Sequence, residues 1–309
     1  MQHDREARPV PEAEFRSYYG KPVIKAPVWK VPDVPAYLYL GGMAGASANM
    51  ALLADLTGRP ALARAGRLAA AAGSASSVLA LVHDLGRPTR FLNMLRVFKP
   101  TSPLSVGSWI LAPFSALAAA GAASDLTGLL PALGRLSAVG AGIIAPAMTT
   151  YTAVLLADTA VPGWHEIYRE LPFVFAGSAV ASAGAVGMLA APRAEAGPAR
   201  RMALAGSVLE LAAHWQMEQR SGPVIGEVYR RGRAGKVLSA ARALACLGGI
   251  TAIFAGRSRL LTIGSGLCLT ASTAATRYGI FEAGRESARD PRYTIVPQRQ
   301  HAAPQTSPD

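Results

Sequence analysis

The 309-residue chain contains few charged side chains: Asp, Glu, Lys and Arg together make up 16% of it, against about 25% in an ordinary soluble domain. Residues 115–124 and 171–192 contain none of the four. A soluble protein distributes charge over its surface, whereas a membrane protein confines charge to the loops between its spans. Together with a hydrophobic content of 51%, this shortage of charge predicts a polytopic membrane protein.

Potential metal ligands are also scarce. The only two cysteines, Cys246 and Cys268, lie within apolar runs, whereas an iron–sulfur cluster typically needs four thiolates and a closed zinc site needs four ligands. Two b-type haems would require four suitably placed histidines, and only His83 and His214 fall within apolar stretches. A single haem held by two histidines is conceivable, but no pattern supports it. We therefore expect no metal site, haem or iron–sulfur cluster in this chain.

Several common motifs are absent as well. The first 34 residues contain no apolar stretch typical of a cleavable signal peptide, so the first span is expected to act as the insertion signal. There is no P-loop, no Gly-x-Ser-x-Gly and no His-Glu-x-x-His motif. The net charge of +12 would suit a nucleic-acid-binding protein. However, the basic residues lie at the ends of apolar spans, which is typical of membrane proteins, and we expect no nucleic-acid partner.

Eight stretches of the sequence have the roughly 20 mostly apolar residues that a membrane span requires. They predict an all-α integral membrane protein with a juxtamembrane arm (1–34), an eight-helix transmembrane domain (35–282) and a C-terminal tail (283–309). The short links at 58–62 and 257–259 make the flanking helices antiparallel neighbours. The predicted spans are 35–57, 63–85, 105–125, 136–158, 171–191, 199–217, 237–256 and 260–282.

The distribution of basic residues predicts the orientation. Twenty of the 31 lysines and arginines lie in the termini and in the loops on the same side, nine lie in the opposite loops, and Arg242 and Arg277 lie within spans. By the positive-inside rule, both termini are expected to be cytoplasmic.

Segment 88–99, between the second and third spans, combines an apolar face with cations. It predicts a short helix in the membrane interface, ended by Pro100. Such a helix is either a lipid-facing connector or the frame of a pocket mouth or docking surface. Phe91, Met94, Leu95 and Phe98 form its apolar face, and the candidate contacts to headgroups or a partner are Arg87, Arg90, Arg96 and Lys99.

Ionisable residues inside spans are costly and therefore indicate candidate functional positions. Glu210 and His214 lie four residues apart on one helical face. A histidine beside a carboxylate can transfer protons near neutral pH, and Asp158 at the end of the fourth span is a third candidate. Alternatively, Glu210 and His214 form a buried structural bridge to Arg242 or Arg277. The hydroxyl of Tyr151 lies at membrane depth, where it would bond either a backbone carbonyl or a ligand carbonyl.

Four segments resemble the NrfD/PsrC family of membrane subunits of polysulfide-reductase-like complexes. They are "YYGKPVIKAPVWKVPDVPAYLYLGGMAGAS" (18–47), "DLGRPTRFLNMLRVFKPTSPLSVGSWIL" (84–111), "YTAVLLADTAVPGWHEIYRELPFVFAGSA" (151–179) and "RYGIFEAGRESARDPRYTIVPQR" (277–299). The resemblance covers nearly the whole chain, from about residue 18 to residue 299, and the Asp-Leu-Gly-Arg-Pro loop with the run that follows it is its most specific part.

The resemblance implies two four-helix bundles in a prokaryotic cell membrane and a quinone, either menaquinone or ubiquinone, as substrate. It also implies a ferredoxin-like iron–sulfur partner, connected to a molybdopterin or cytochrome subunit. Tyr151 matches the family's quinone-binding tyrosine. The first span has no histidine, unlike that of some members, but it offers Tyr37, Tyr39, Ser47 and Asn49. Of these, Tyr39 and Asn49, together with Tyr151 and His83, are the expected quinone contacts.

The leading hypothesis is therefore a quinone-interacting membrane anchor subunit of a multi-subunit oxidoreductase. One alternative is a stand-alone proton-coupled transporter with Glu210, His214 and Arg277 binding the substrate. Transporters usually contain broken helices in corresponding places of two halves. Pro146 would break the fourth span, but no counterpart occurs in the eighth. The other alternative is an anchor without a quinone site.

Overall fold

The computed structural model describes residues 23–87 and 89–302, and every regular element in those ranges is an α-helix. The prediction of an all-α protein is therefore confirmed for the described part of the chain. The twelve helices there are α1 (Asp33–Leu56), α2 (Pro60–Asp84), α3 (Thr89–Met94), α4 (Pro103–Thr127), α5 (Pro131–Ala157), α6 (Pro162–His165), α7 (Leu171–Ala190), α8 (Gly197–Arg220), α9 (Gly222–Arg230), α10 (Gly232–Phe254), α11 (Arg259–Arg289) and α12 (Arg292–Ala302).

Eight long helices coincide with the eight predicted spans to within a few residues at most of their ends. Five of them, α2, α4, α5, α7 and α10, are long and apolar enough to cross a membrane. Helices α1, α8 and α11 fall outside this set. Both α8 and α11 contain several charged side chains. The chain is a multi-pass membrane protein, and membrane crossing by these three helices stays a prediction.

The eight long helices pack as two groups of four. In the first group α1, α2, α4 and α5 form a ring of neighbours, and in the second α7, α8, α10 and α11 do the same. The groups meet mainly where α1 and α5 pack against α7, and α1 also packs against α11. Residues on the inner faces of α1, α5, α7 and α11 are therefore enclosed by protein rather than lipid.

The short helices gather at one end of the molecule, which we call the short-helix end. Helices α6, α9 and α12 contact one another there, and Trp29 stacks on Trp164 of α6 with ring centroids 5.3 Å apart. Trp29 precedes α1 and α12 follows α11, so both described ends of the chain lie on the same side. The last long helix continues to Arg289, beyond the predicted boundary at 282. Most of the predicted arm, residues 1–22, lies outside the described residues.

The interfacial helix predicted over 88–99 is shorter in the structure, where α3 has six residues and ends at Met94. The non-helical residues after it are held by a hydroxyl of the next helix. Ser105 Oγ accepts the Lys99 N–H (3.0 Å) and donates to the Val97 carbonyl (3.2 Å), which holds the segment in a turn. The predicted docking cations Arg87, Arg90, Arg96 and Lys99 are all exposed.

Pro146 does not interrupt α5, which is continuous from Pro131 to Ala157. A proline lacks the N–H that would bond the carbonyl four residues earlier, and here that carbonyl belongs to Gly142. Asn49 of α1 supplies the missing donor, with its Nδ2 2.8 Å from the Gly142 oxygen. The predicted break of the fourth span at Pro146 is therefore wrong.

Glycines bring α7 and α8 into backbone contact. A methyl group on Gly184 would lie 2.7 Å from the Ala199 carbonyl oxygen and 2.7 Å from Ala203 Cα. Such contacts between small residues are typical of helix pairs in lipid. They explain why the uncharged 171–192 segment is so rich in glycine and alanine.

Gly184→Ala is expected to lower the free energy of unfolding by about 1–3 kcal/mol, because the added methyl must push the two backbones apart. Thermal unfolding of the purified protein in detergent measures this. Gly264→Ala is the matched control: its methyl would meet no atom within 4 Å, and alanine favours a helix by about 0.5–1 kcal/mol over glycine. Equal unfolding temperatures for the two variants would contradict the packing of α7 on α8.

Candidate functional site

Two tyrosine hydroxyls form a hydrogen bond inside the first group of helices. Tyr37 of α1 and Tyr151 of α5 are 4% and 7% exposed, and their hydroxyl oxygens bond to each other. The two rings meet edge to face, with centroids 6.4 Å apart. Tyr37 lies four residues into α1 and Tyr151 six residues before the end of α5, so each is about 6–9 Å from the short-helix end.

A glycine on a third helix makes room for this pair. A methyl group on Gly107 of α4 would lie 2.6 Å from Tyr151 Cε2, so the tyrosine ring packs directly on the α4 backbone. On the other side, Ser77 of α2 donates to the Tyr37 carbonyl at 3.3 Å. All four helices of the first group thus hold the tyrosine pair in place.

An acid–histidine pair lies one turn closer to the short-helix end. His83 Nδ1 is 2.7 Å from Asp33 Oδ2, and Asp33 and Tyr37 are four residues apart on α1, about 6 Å along its axis. The side chain of His83 is 76% exposed and that of Asp33 13%. Lys30 completes the cluster, because its Nζ donates to the His83 carbonyl at 3.1 Å. His83 is therefore linked through Asp33 to the α1 turn that precedes Tyr37, and its contact with a quinone stays a prediction.

A buried arginine occupies the junction of the two groups. Arg277 of α11 is 1% exposed and lies about 18 Å from the end of its helix. Its Nη2 donates to the Phe175 carbonyl at 2.7 Å, its Nε to Ser178 at 3.2 Å, and its Nη1 to Thr152 at 3.5 Å. The guanidinium also lies 3.8 Å from the centroid of the Phe175 ring. Contacts from α5 and α7 thus compensate this buried charge.

Glu210 and His214 are both buried on α8, at 3% and 2% exposure. Glu210 Oε1 accepts a hydrogen bond from Thr276 at 2.6 Å, next in sequence to Arg277. His214 Nε2 lies 3.4 Å from Glu218 Oε1, and Glu218 in turn bonds Arg242. The two side chains therefore have different partners. His214 is linked to Arg242 through Glu218, and Glu210 takes no part in that bridge.

Glu210 Oε2 has no hydrogen bond within the described part of the chain. His214 Nε2 has only its 3.4 Å contact with Glu218, whose geometry is not that of a hydrogen bond. A buried polar atom without a partner is unfavourable unless water or a ligand satisfies it. The face of α8 between them is therefore a place where a water molecule or a proton could be held.

The remaining predicted site residues lie apart from the tyrosine pair. Asn49 is bonded to the Gly142 carbonyl, as described above. Tyr39 points to the second group, where its hydroxyl accepts from Ser182 Oγ at 3.2 Å. Asp158 is exposed at the end of α5. Tyr37 is among the polar residues that the sequence offers on the first span but is not one of the predicted quinone contacts, and its bond to Tyr151 is what now marks it.

A cavity of about 440 Å3 lies at the short-helix end, between the segment before α1 and the α5–α6 connection. Trp29 and Trp164 line it, and both rings pack against the ring of Phe281. Among the described residues there is no group of three His, Cys, Asp or Glu side chains close enough to hold a metal ion. The described Tyr, His and Asp side chains near this end can form hydrogen bonds and exchange protons.

These features define a multi-pass helical membrane protein with a polar site enclosed near one end of its helices. The family model described as "Polysulphide reductase, NrfD" matches residues 23–211, well over half of the chain. The protein belongs to the NrfD family, which confirms the resemblance found in the sequence. It is a membrane subunit of the polysulphide- or nitrite-reductase type, and members of this family typically associate with other redox subunits. A comparison with curated protein sequences gives no significant match.

Proposed function

We propose that the protein is a quinone-reactive membrane subunit of a multi-subunit oxidoreductase, passing electrons between the membrane quinone pool and an iron–sulfur partner subunit. The observation that carries this proposal is the buried Tyr37–Tyr151 hydroxyl pair near the short-helix end. It lies within the region matched to the family and near the surface on which a partner would dock.

The tyrosine pair suits a quinone because quinone carbonyls only accept hydrogen bonds, whereas a phenolic hydroxyl can donate one. In the Tyr37–Tyr151 bond one hydroxyl donates and the other accepts. The accepting hydroxyl still has its own O–H, which could donate to a quinone carbonyl while the bond within the pair is kept. His83, held by Asp33 one turn away, is the second candidate donor. Tyr39 and Asn49 are engaged elsewhere in the structure, so their proposed contact with quinone would require them to change partners.

Proton exchange is the second requirement. Reducing a quinone to a quinol takes up two electrons and two protons, and the reverse reaction releases them. The electrons would be exchanged with the partner's cluster. Asp158 is exposed near the end of α5 and could exchange protons with water. Glu210 and His214 would carry protons within the second group, where Glu210 Oε2 has no hydrogen bond among the described residues and His214 Nε2 has only its 3.4 Å contact with Glu218.

The short-helix end is the proposed docking face for a ferredoxin-like iron–sulfur subunit, which would connect to a molybdopterin or cytochrome subunit. Arg87, Arg90, Arg96 and Lys99 are exposed there and would attract an acidic partner surface or lipid headgroups. The excess of basic residues at this end supports a cytoplasmic location of both termini.

Affinity purification of the tagged protein from its native membranes in mild detergent tests the proposal. We expect an iron–sulfur protein to co-purify, identified by mass spectrometry and by its iron content, and quinone to be found in the lipid extract. Recovery of a cluster-bearing partner without quinone, together with electron transfer unaffected by quinone analogues, would favour the anchor without a quinone site. Recovery of the protein alone in several detergents, with solute uptake in vesicles, would favour the transporter.

A further inference from the structure

A second cavity lies at the end of the molecule opposite the short helices. It has a volume of about 570 Å3 and opens between the ends of α1, α4 and α5, with Arg67 of α2 at its wall. Ligand sites in proteins have volumes of about 300–1,000 Å3. The cavity shares no lining residue with the tyrosine pair, and the proposed quinone chemistry does not use it.

The inner wall of this cavity carries an ion-pair network. Arg67 bonds Asp55 of α1 through Nη1 and Asp125 of α4 through Nε, in each case at Oδ2. The other oxygen, Oδ1, of each carboxylate has no hydrogen bond within the described part of the chain. The side chains of Asp55 and Asp125 are 39% and 25% exposed. Two carboxylates around one arginine leave a net negative charge and free acceptor atoms at this wall.

The outer rim carries a cation. Arg135 of α5 lines the cavity, is exposed, and has no ion-pair or hydrogen-bond partner among residues 23–87 and 89–302. Below it, Leu136, Val139 and Ile143 form an apolar stripe on the same helix at three- to four-residue spacing, 41–72% exposed. A basic rim thus lies between an acidic wall and a lipid-facing stripe.

The loop between α4 and α5 fixes this rim. Ser124 Oγ donates to the Leu129 carbonyl at 2.8 Å. Gly128 and Leu130 both adopt positive φ, at 71° and 49°. For a leucine this conformation is uncommon. A side-chain hydrogen bond and two left-handed residues hold the short turn that places Gly128 and Pro131 at the cavity edge.

We propose that this cavity binds one phospholipid whose headgroup carries a primary amine, as in phosphatidylethanolamine. The ammonium group would donate to the free oxygens of Asp55 and Asp125, and the phosphate would accept from Arg135. An acyl chain would lie along the stripe on α5. A choline headgroup has no N–H to donate, and a glycerol headgroup has no cation for the acidic wall. The chemistry of the cavity therefore distinguishes the ethanolamine lipid from both.

Native mass spectrometry of the purified, delipidated protein tests this proposal. The protein is incubated with phosphatidylethanolamine, phosphatidylcholine or phosphatidylglycerol of identical acyl chains. We expect retention of one phosphatidylethanolamine with an affinity about tenfold above that for the other two, since one charge-assisted contact is worth about 1.4 kcal/mol or more. Arg135→Gln should reduce this retention about tenfold.

Arg64→Gln is the matched control for Arg135→Gln. Arg64 is exposed near the start of α2, at the same end of the molecule, and does not line the cavity. Because Arg135 has no partner within the described residues, its replacement should leave the unfolding temperature unchanged, and that measurement accompanies the assay. Equal retention of the three lipids would identify annular lipid only and overturn the proposal. Preference for phosphatidylglycerol, or equal losses in the two arginine variants, would also overturn it.

Discussion

Tyr151→Phe is expected to lower quinone-coupled electron transfer by roughly 10- to 100-fold, because the change removes one hydrogen-bond donor to a carbonyl on which negative charge develops. The loss should appear in the maximal rate of the intact complex, measured with a soluble quinone analogue and the native electron donor. Assembly should be unaffected, since phenylalanine keeps the ring that packs on Gly107. The amount of co-purifying partner measures assembly in the same preparation.

Two further tyrosine variants make this prediction specific. Tyr37→Phe should also slow turnover, because Tyr37 is bonded to Tyr151 and its loss leaves that hydroxyl without its partner. Tyr168→Phe is the control, since this tyrosine is 51% exposed and its hydroxyl accepts only from Arg169 among the described contacts. Normal turnover in Tyr151→Phe would remove Tyr151 from the quinone site.

Arg277→Gln is expected to destabilise the protein by about 3–5 kcal/mol, the loss typical of removing one partner from a buried charge network. The change deletes the hydrogen bonds to Phe175 and Thr152 and removes the positive charge that interacts with Glu210. Thermal or denaturant unfolding of the purified protein in detergent measures the loss. Arg231→Gln is the control, because Arg231 lies between α9 and α10 with its side chain 79% exposed, so water can replace its contact with Glu227. A loss no greater than that of Arg231→Gln would contradict the role assigned to Arg277.

A double-mutant cycle separates the charge pair from the other contacts of Arg277. If Glu210 and Arg277 stabilise each other, the double variant Glu210→Gln, Arg277→Gln should be more stable than the sum of the single losses predicts. Turnover of Glu210→Gln in the same preparations tests the proposed proton transfer. Slower quinone turnover with unchanged stability would support that role, whereas unchanged turnover would leave Glu210 a structural residue.

Most of the helical architecture follows from local sequence. Apolar runs bounded by proline, glycine and charge predict all eight long helices, because backbone groups in an apolar environment must bond within their own segment. The short helix after α2 is less predictable. Its amphipathic pattern continues to residue 99, but the helix ends at Met94 because the Ser105 hydroxyl bonds the chain at Val97 and Lys99.

The candidate site is only partly predictable. Tyr151, His83, Glu210 and His214 stand out because polar groups are rare in apolar spans, and their roles stay predictions. The same criterion selects Asn49, whose amide in fact bonds the carbonyl that Pro146 leaves free. A polar residue in an apolar span therefore indicates that a nearby group needs a hydrogen-bond partner. The sequence does not show whether that group belongs to a substrate or to the backbone.

The class of protein, the number and approximate positions of its long helices, and its family can be read from the sequence, because they depend on composition and on short continuous motifs. Which side chains meet follows from the packing of the helices. Tyr37 faces Tyr151 across 114 residues of chain, and Arg277 meets Phe175 across 102. Such pairs depend on how each helix is rotated and how closely glycines such as Gly184 let the helices approach, and these are properties of the packed bundle rather than of any one segment.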